Sequence, residues 1–226
     1  MRSKKLIFAG ASVLLVVVLS LASFGAFAQS DGNAPAPLAT GLNSPRHITF
    51  DADGNLYIAE GGTGGDFDAQ GPFGPAKAGG SASVRYIPLD GSEVDFLLGL
   101  PSTDALNGEV LGASKAIVTD DSIWLLLAQG SLDNPFSYSL MELSENKRIL
   151  QHIDLYSYES ENNPDGNEID SNPVDFVVSP DGTIYIADAG ANTVYSWTED
   201  DGLEVFVTWD DNPVPSSVAL GDDGTV

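Results

Sequence analysis

After its first forty residues the chain is a succession of short apolar runs punctuated by Asp-Gly pairs. The segment "NSPRHITFDADGNLYIAEGG" (Asn43 to Gly62) sets the pattern, and "SNPVDFVVSPDGTIYIADAG" (Ser171 to Gly190) repeats it. Pro45 matches Pro173, Phe50 matches Val178, Asp53-Gly54 matches Asp181-Gly182 and Tyr57 matches Tyr185, all at an offset of 128 residues without a gap. A degenerate copy, "ASKAIVTDDSIWLLLAQG" (Ala113 to Gly130), puts Trp124 in the tyrosine's place. A further copy, "VPSSVALGDDGTV" (Val214 to Val226), carries Asp223-Gly224, 42 residues after Asp181-Gly182. A repeat of roughly 40–45 residues holding four strands predicts the blade of a β-propeller. The fold class expected is therefore all-β.

The runs assign themselves to strands by their turns. "HITF" and "NLYIAE" flank Asp53-Gly54, and "VRYIPL" and "EVDFLL" flank Asp90-Gly91, giving a first blade over residues 41–100. "KAIV", "SIWLLLA", "SLMEL" and "RILQHIDL" make a second blade over 112–155, followed by an insertion at 156–171. "DFVV" and "TIYIAD" flank Asp181-Gly182, and "TVYSW" and "LEVFVTW" flank Asp201-Gly202, for a third blade over 172–210. Residues 214–226 read as the start of a fourth blade, so the chain is expected to be a fragment of a longer propeller. Asp-Gly is a tight hairpin signal because Gly accepts the positive φ such turns require. Runs such as "TIYIA" are apolar at consecutive positions, as expected for strands buried on both faces. Trp124, Tyr185 and Trp197 are assigned to the packing between blades, and no helical periodicity follows residue 28.

Antiparallel order puts every short turn at one end of the blades. Every long connection falls at the other: Gly61–Ser83, Leu100–Ser114, Tyr156–Ser171 and Asp210–Ser216. Variable loops on a rigid scaffold are where binding usually resides. The first strand of each blade starts at this same end, beside the central channel. The residues there are Arg46-His47, Ser114-Lys115, Val174-Asp175 and Ser216-Ser217. Of these, Arg46, His47, Ser114, Lys115, Asp175 and Ser217 are the candidate ligand-binding residues at the channel mouth.

Composition adds a compartment. Arg2, Lys4 and Lys5 precede the apolar "LIFAGASVLLVVVLSLASF", and "AFA" ahead of Gln29 has the small-x-small form that signal peptidases cut. Residues 1–28 therefore read as a signal peptide and 29–40, "QSDGNAPAPLAT", as a linker. Export predicts a secreted or periplasmic protein with no membrane segment after cleavage. With no Cys anywhere, its fold must rest on packing rather than disulfides. Loss of the three signal cations takes the net charge from −24 to −27, a surface that repels nucleic acid.

No catalytic motif is complete. "GGTGGDF" lacks the Lys-Ser/Thr of a phosphate loop, and "GASKA" (Gly112 to Ala116) lacks the final Gly of a nucleophile elbow. His47 and His152 are the only histidines, which with the lack of Cys argues against a zinc centre. "DADGN" begins like a calcium loop but lacks its later ligands, and reads as a hairpin turn. "ENNPDGNEID" brings Asn163, Asp165, Asn167, Glu168 and Asp170 close in sequence, with Asp66 or Asp68 available from a neighbouring loop. Calcium is the ion such oxygen-rich clusters suit; no metal site is assigned, and no other cofactor is expected.

The shared pattern P-x-x-h-x-F/V-x-x-D-G-x-h-Y-I-A-D/E resembles the NHL-type repeat of six-bladed propellers. "GLNSPRHITFDADGNLYIAEGGTGG" and "NPDGNEIDSNPVDFVVSPDGTIYIADAGANTVY" are similar to the ScyD/ScyE family of exported bacterial propeller proteins. That resemblance implies a six-bladed propeller of which about two and a half blades lie beyond this sequence. It implies no settled activity; the single loop-bearing end and the lack of a complete catalytic motif are what point to a binding or scaffold protein, recognising an unknown ligand or extracellular partner, and more to a non-enzyme than to an enzyme. The alternative resemblance is to gluconolactonase-like hydrolases, which implies a divalent metal at the channel. The matching positions are Arg46, Ser114, Val174 and Ser216, none a good metal ligand.

Overall fold

Three antiparallel sheets follow one another along the chain, each built in strand order. The computed structural model describes residues 36–92 and 94–226. The expected signal peptide at 1–28, and the linker as far as residue 35, lie outside the described residues. The first sheet contains β1 (Pro45–Phe50), β2 (Leu56–Glu60), β3 (Phe67–Gly71), β4 (Gly74–Ile87), β5 (Val94–Asp104) and β6 (Val110–Leu111). Its order is β1-β2-β4-β5-β6, with β3 paired to β4. The second holds β7 (Ala113–Val118), β8 (Ser122–Leu127), β9 (Ser139–Ser144) and β10 (Ile149–Asp154). Helix α1 (Leu155–Asn162) leads to the third: β11 (Pro173–Val178), β12 (Ile184–Asp188), β13 (Thr193–Thr198) and β14 (Gly202–Thr208).

The sheets stack face to face with their first strands adjacent: β7 packs on β1 and β2 to one side and touches β11 on the other. Successive antiparallel blades, two of four strands and the first enlarged to six by β3 and β6, meeting along their inner strands make an incomplete β-propeller. The turn signals fall where the repeat places them. Gly54, Gly91, Gly182 and Gly202 all take positive φ, between 75° and 90°, in the short connections. The pairs Phe50↔Leu56, Tyr86↔Val94, Val178↔Ile184 and Thr198↔Gly202 close those hairpins at one end of the blades.

The consecutive apolar runs have a direct cause. In β8, Ile123, Leu125 and Leu127 enter the core shared with the first blade, among Tyr57, Val84 and Leu97. Trp124 and Leu126 enter the core shared with the third, among Phe176, Ile186 and Tyr195. Side chains alternate across a strand, so a strand clasped between two blades must be apolar at every position. Trp124 and Trp197 meet edge-on at 5.3 Å across the second interface, whereas Tyr185, expected between blades, packs on Phe206 of its own sheet at 4.9 Å.

The long connections carry more regular structure than the sequence reading expects. Gly61–Ser83 is a hairpin excursion: β3 pairs with the early half of β4, Phe67↔Ala78 to Gly71↔Gly74. Its glycines serve close approach. A Cβ on Gly65 would stand 2.3 Å from the Ala78 carbonyl oxygen. The freed polar groups are taken by serines, since Ser102 Oγ accepts from Gly64 N at 2.8 Å and donates to the Gly61 carbonyl at 2.6 Å. The first blade also runs past residue 100, because β5 continues to Asp104 and pairs there with β6.

The insertion at 156–171, expected to be loop, contains α1. Asp154 caps it, accepting from Ser157 N at 2.9 Å and from Ser157 Oγ at 2.6 Å, and Asn163 ends it in the left-handed conformation. Only Leu155 and Glu159 of the helix are buried, so it has no apolar stripe for periodicity to find. Residues 214–226 hold no regular strand. They do form the expected turn, with Gly224 N bonded to the Gly221 carbonyl at 2.9 Å. Val218 covers the third blade beside Ala187 and Val194. Among the described residues, no helix is long and apolar enough to cross a membrane.

Candidate functional site at the inner-strand ends

Each inner strand carries a β-bulge at its start. Pairing of β1 with β2 shifts between Pro45 and Ile48, that of β7 with β8 between Ala113 and Lys115, and that of β11 with β12 between Pro173 and Asp175. In each case two residues oppose one. A bulge re-aims the side chains beside it, and here it recurs at one repeat position, among His47, Ser114, Lys115 and Asp175.

These side chains converge. Asp175 is 2% exposed and is the hub. Its Oδ1 accepts from Lys115 Nζ at 2.7 Å and from Phe176 N at 2.9 Å, with His47 Nε2 3.9 Å away. Its Oδ2 accepts from Ser217 Oγ at 2.7 Å and Val218 N at 3.0 Å. Residues of four successive repeats thus meet at one carboxylate. Burial by itself would raise the Asp175 carboxyl, but the hydrogen bonds from Lys115, Ser217 and Val218, with the Lys115 charge, outweigh it and hold the carboxyl below its usual range. His47 Nδ1 lies 3.1 Å from the Ser114 carbonyl oxygen, and Ser114 Oγ donates to the Val174 carbonyl at 2.7 Å. Ser114 is therefore a link between inner strands, its hydroxyl committed to backbone. Arg46 is more peripheral, bonded to the Val110 carbonyl and 3.8 Å from Glu109. Lys115 Nζ also lies 5.6 Å from the centre of the Phe176 ring.

A second polar cluster sits where the insertion meets the third blade, and sequence reasoning found only part of it. Asp188, fully buried, accepts from Ser171 Oγ at 2.6 Å, Asn172 N at 2.6 Å and Ala191 N at 3.1 Å. Burial raises its carboxyl to about 6 despite these bonds. Glu159 is buried with one bond, from Asp170 N at 3.0 Å to Oε1, and among the described residues Oε2 has no partner. Burial, reinforced by Asp188, Asp165 and Asp170, pushes it up to about 7. The signal available was "YIAD", whose final acid ends a buried strand, as Glu60 does in "YIAE".

The oxygen-rich segment 163–170 is turned toward protein donors. Asp165 accepts from Asn167 N, Asn167 Nδ2 and Asn192 Nδ2, each between 2.8 and 2.9 Å. Asp170 accepts from Gln129 Nε2 at 2.9 Å, Asn163 donates to the Asn167 carbonyl, and Asp68 pairs with Lys77 at 2.7 Å. Among the described residues, no group of three or more His, Cys, Asp and Glu side chains is arranged to hold a metal ion. In "DADGN", Asp51 accepts from Asp53 N, Asn55 N and Asn55 Nδ2, the bonding of a turn. His152 stands on the outer strand β10, edge-on to Phe136 at 5.5 Å. A cleft of about 530 Å³ between the outer strands, lined by Phe96, Leu98, Leu100, Met141, Lys147 and Ile149 among others, shares no residue with the Asp175 network.

No protein-family model matches the chain, and no curated protein matches it. Among solved structures it is similar to a catalytically inactive variant of virginiamycin B lyase from Staphylococcus aureus with quinupristin. The identity is 16%, the TM-score 0.48, and the match covers 82% of this chain and 49% of that one. The selenomethionine-substituted form of that lyase gives 16% and 0.49, over 80% and 47% of the two chains. A streptogramin B lyase gives 12% and 0.43, over 83% and 62%. The chain spans about half the length of the first two.

Proposed function

We propose that this chain is an exported β-propeller binding protein of the ScyD/ScyE type. Its ligand docks on the loop-bearing end, where His47, Lys115, Asp175 and Ser217 meet. The observation that carries this reading is the bulge recurring at one position of three inner strands, with polar side chains of four repeats drawn to a single buried carboxylate. Deeper along the inner strands the contacts between blades are mostly apolar, with Thr49 Oγ1 donating to the Ala116 carbonyl at 2.6 Å. Export rests on the basic, apolar and small-x-small order of residues 1–28.

The groups with bonding capacity to spare are cationic or titratable. Lys115 makes one hydrogen bond to Asp175 and retains two N–H groups, and His47 Nε2 stands 3.9 Å from Asp175 Oδ1. Arg46 lies at the rim. Although Asp175 and Glu109 already face Lys115 and Arg46, the N–H groups left over here suit a small anionic ligand that shares these cations with them. The test is a thermal-shift screen of the chain from Gln29 onward against small organic acids such as citrate, malate and gluconate. A member at a hundredfold excess over its dissociation constant should add about 2.7 kcal/mol of stability. Lys115→Ala should abolish that gain, and Lys77→Ala should keep it. No shift from any acid, or shifts equal in both variants, would overturn the reading.

A further inference from the structure

Helix α1 is fastened to the segment that returns to the third blade through a polar side chain. Glu159 is fully buried, and its Oε1 receives the Asp170 backbone N–H, so it ties the helix to the segment that returns to β11. The groups facing it come from every neighbouring element. Asp188 belongs to β12, Tyr195 to β13, Tyr158 to α1 itself, and Asp165 and Asp170 to the return segment. From the second blade, Gln129 reaches Asp170, and Tyr138 stands near Tyr156 and Asp170. The charges acting on Glu159 are all acids.

These acids differ in what they are built to hold. Asp188 and Asp165 each accept three hydrogen bonds from neutral donors, which favour the ionised form, though at Asp188 burial still outweighs them. Glu159 has one bond, a second oxygen without a partner among the described residues, and carboxylates around it. A buried carboxyl so placed is stable only as the neutral acid. Its ionisation leaves an uncompensated charge in the interface, and the nearest relief is solvent, which requires the helix to lift. Gly190 shows how close the seat is: a Cβ there would lie 1.4 Å from the Asp170 carbonyl oxygen.

We propose that Glu159 is a proton-operated latch: protonated, it holds α1 on the segment 163–172 against the third blade, and ionised, it releases helix and segment from each other. The released segment leads directly into Pro173 and Asp175, so the latch adjoins the inner-strand site without depending on what binds there. The raised carboxyl, near 7, puts the change within the neutral range.

Hydrogen exchange read by mass spectrometry on the whole chain tests this, between pH 5.5 and 8.5 with a chelator present. After correction for intrinsic exchange, β8 amides (Ser122–Leu127) serve as the reference. Protection over 155–172 should fall by up to about tenfold per pH unit above neutrality while β8 stays constant. Glu159→Gln retains a carbonyl for the Asp170 N–H and carries no charge, so its protection should stay flat. Protection that is flat in the unaltered protein would overturn the latch, and that arm needs no variant. An equal fall in the unaltered protein and in Glu159→Gln would overturn it as well.

Discussion

Glu60 and Asp188 occupy the same place in the repeat, each fully buried at the end of its blade's second strand, and each grips the chain entering that blade. Asn43 N donates to Glu60 Oε1 at 2.5 Å, and Asn172 N donates to Asp188 Oδ1 at 2.6 Å. The donors then diverge. Glu60 is neutralised by Arg85, whose Nε lies 2.6 Å from Oε2, whereas Asp188 relies on Ser171 Oγ and backbone N–H groups.

That difference predicts unequal sensitivity. Arg85→Ala leaves the Glu60 carboxylate buried without its counter-charge, which typically costs about 3–5 kcal/mol. Glu60→Gln, which removes the charge and keeps the acceptor, should cost less. Urea unfolding of both variants measures this. A loss in Arg85→Ala no larger than in Glu60→Gln would refute the assignment.

Stability should peak in mildly acidic solution. Asp188, ordinarily near 3.8, rises to about 6, and Glu159, ordinarily near 4.5, rises to about 7. Both bind a proton more tightly folded than unfolded. Their contribution is therefore complete below the ordinary values and is lost as pH climbs through about 6 and 7. Asp175 and Asp165 are held low, so their contribution is present above 3.8 and is lost on further acidification. Urea midpoints between pH 3 and 8 should pass through a maximum between these limits. Glu159→Gln should flatten its alkaline side; a monotonic rise to pH 8 would contradict the sign of both buried acids.

Gly190→Ala should be among the most damaging small substitutions. Its Cβ would meet backbone, not a side chain that can swing away. A cost of about 3 kcal/mol is expected from overpacking. A melting temperature unchanged by the substitution would mean that 170–172 does not sit against the β12–β13 turn.

Calcium at millimolar concentration should leave the melting temperature unchanged. The carboxylates of Asp165 and Asp170 already accept amide hydrogens, and releasing them costs those bonds. A shift that Asp165→Ala removes, while Asp53→Ala does not, would restore the metal reading for this segment.

The repeat made the blades legible because Asp-Gly turns and doubly buried strands both write themselves into residue order. The inner-strand residues were legible as equivalent positions, yet their convergence was not. It depends on bulges at Ala113–Lys115 and Pro173–Asp175, and a bulge consumes one residue without a required residue type. Helix α1 escaped because "LYSYESEN" has no apolar stripe: it sends only Leu155 and Tyr158 toward the core, and its other buried residue is a glutamate. The β3–β4 hairpin escaped because its glycines read as a loop, whereas Gly62 and Gly65 are there to let backbones touch.

The division of β8 between two cores has a mechanical consequence. Ile123, Leu125 and Leu127 answer to one neighbour while Trp124 and Leu126 answer to the other, so one strand's seating is shared by both interfaces. Through their apolar cores the blades are linked in series, as in other repeat architectures, and only the polar network at Asp175 joins more than two of them. Within the cores, a strain introduced at Tyr57 reaches Tyr195 by shifting β8. Leu125→Ala, a change of about 2–5 kcal/mol at the first interface, should then loosen Trp124 at the second, and tryptophan fluorescence would register a wound inflicted on the opposite face.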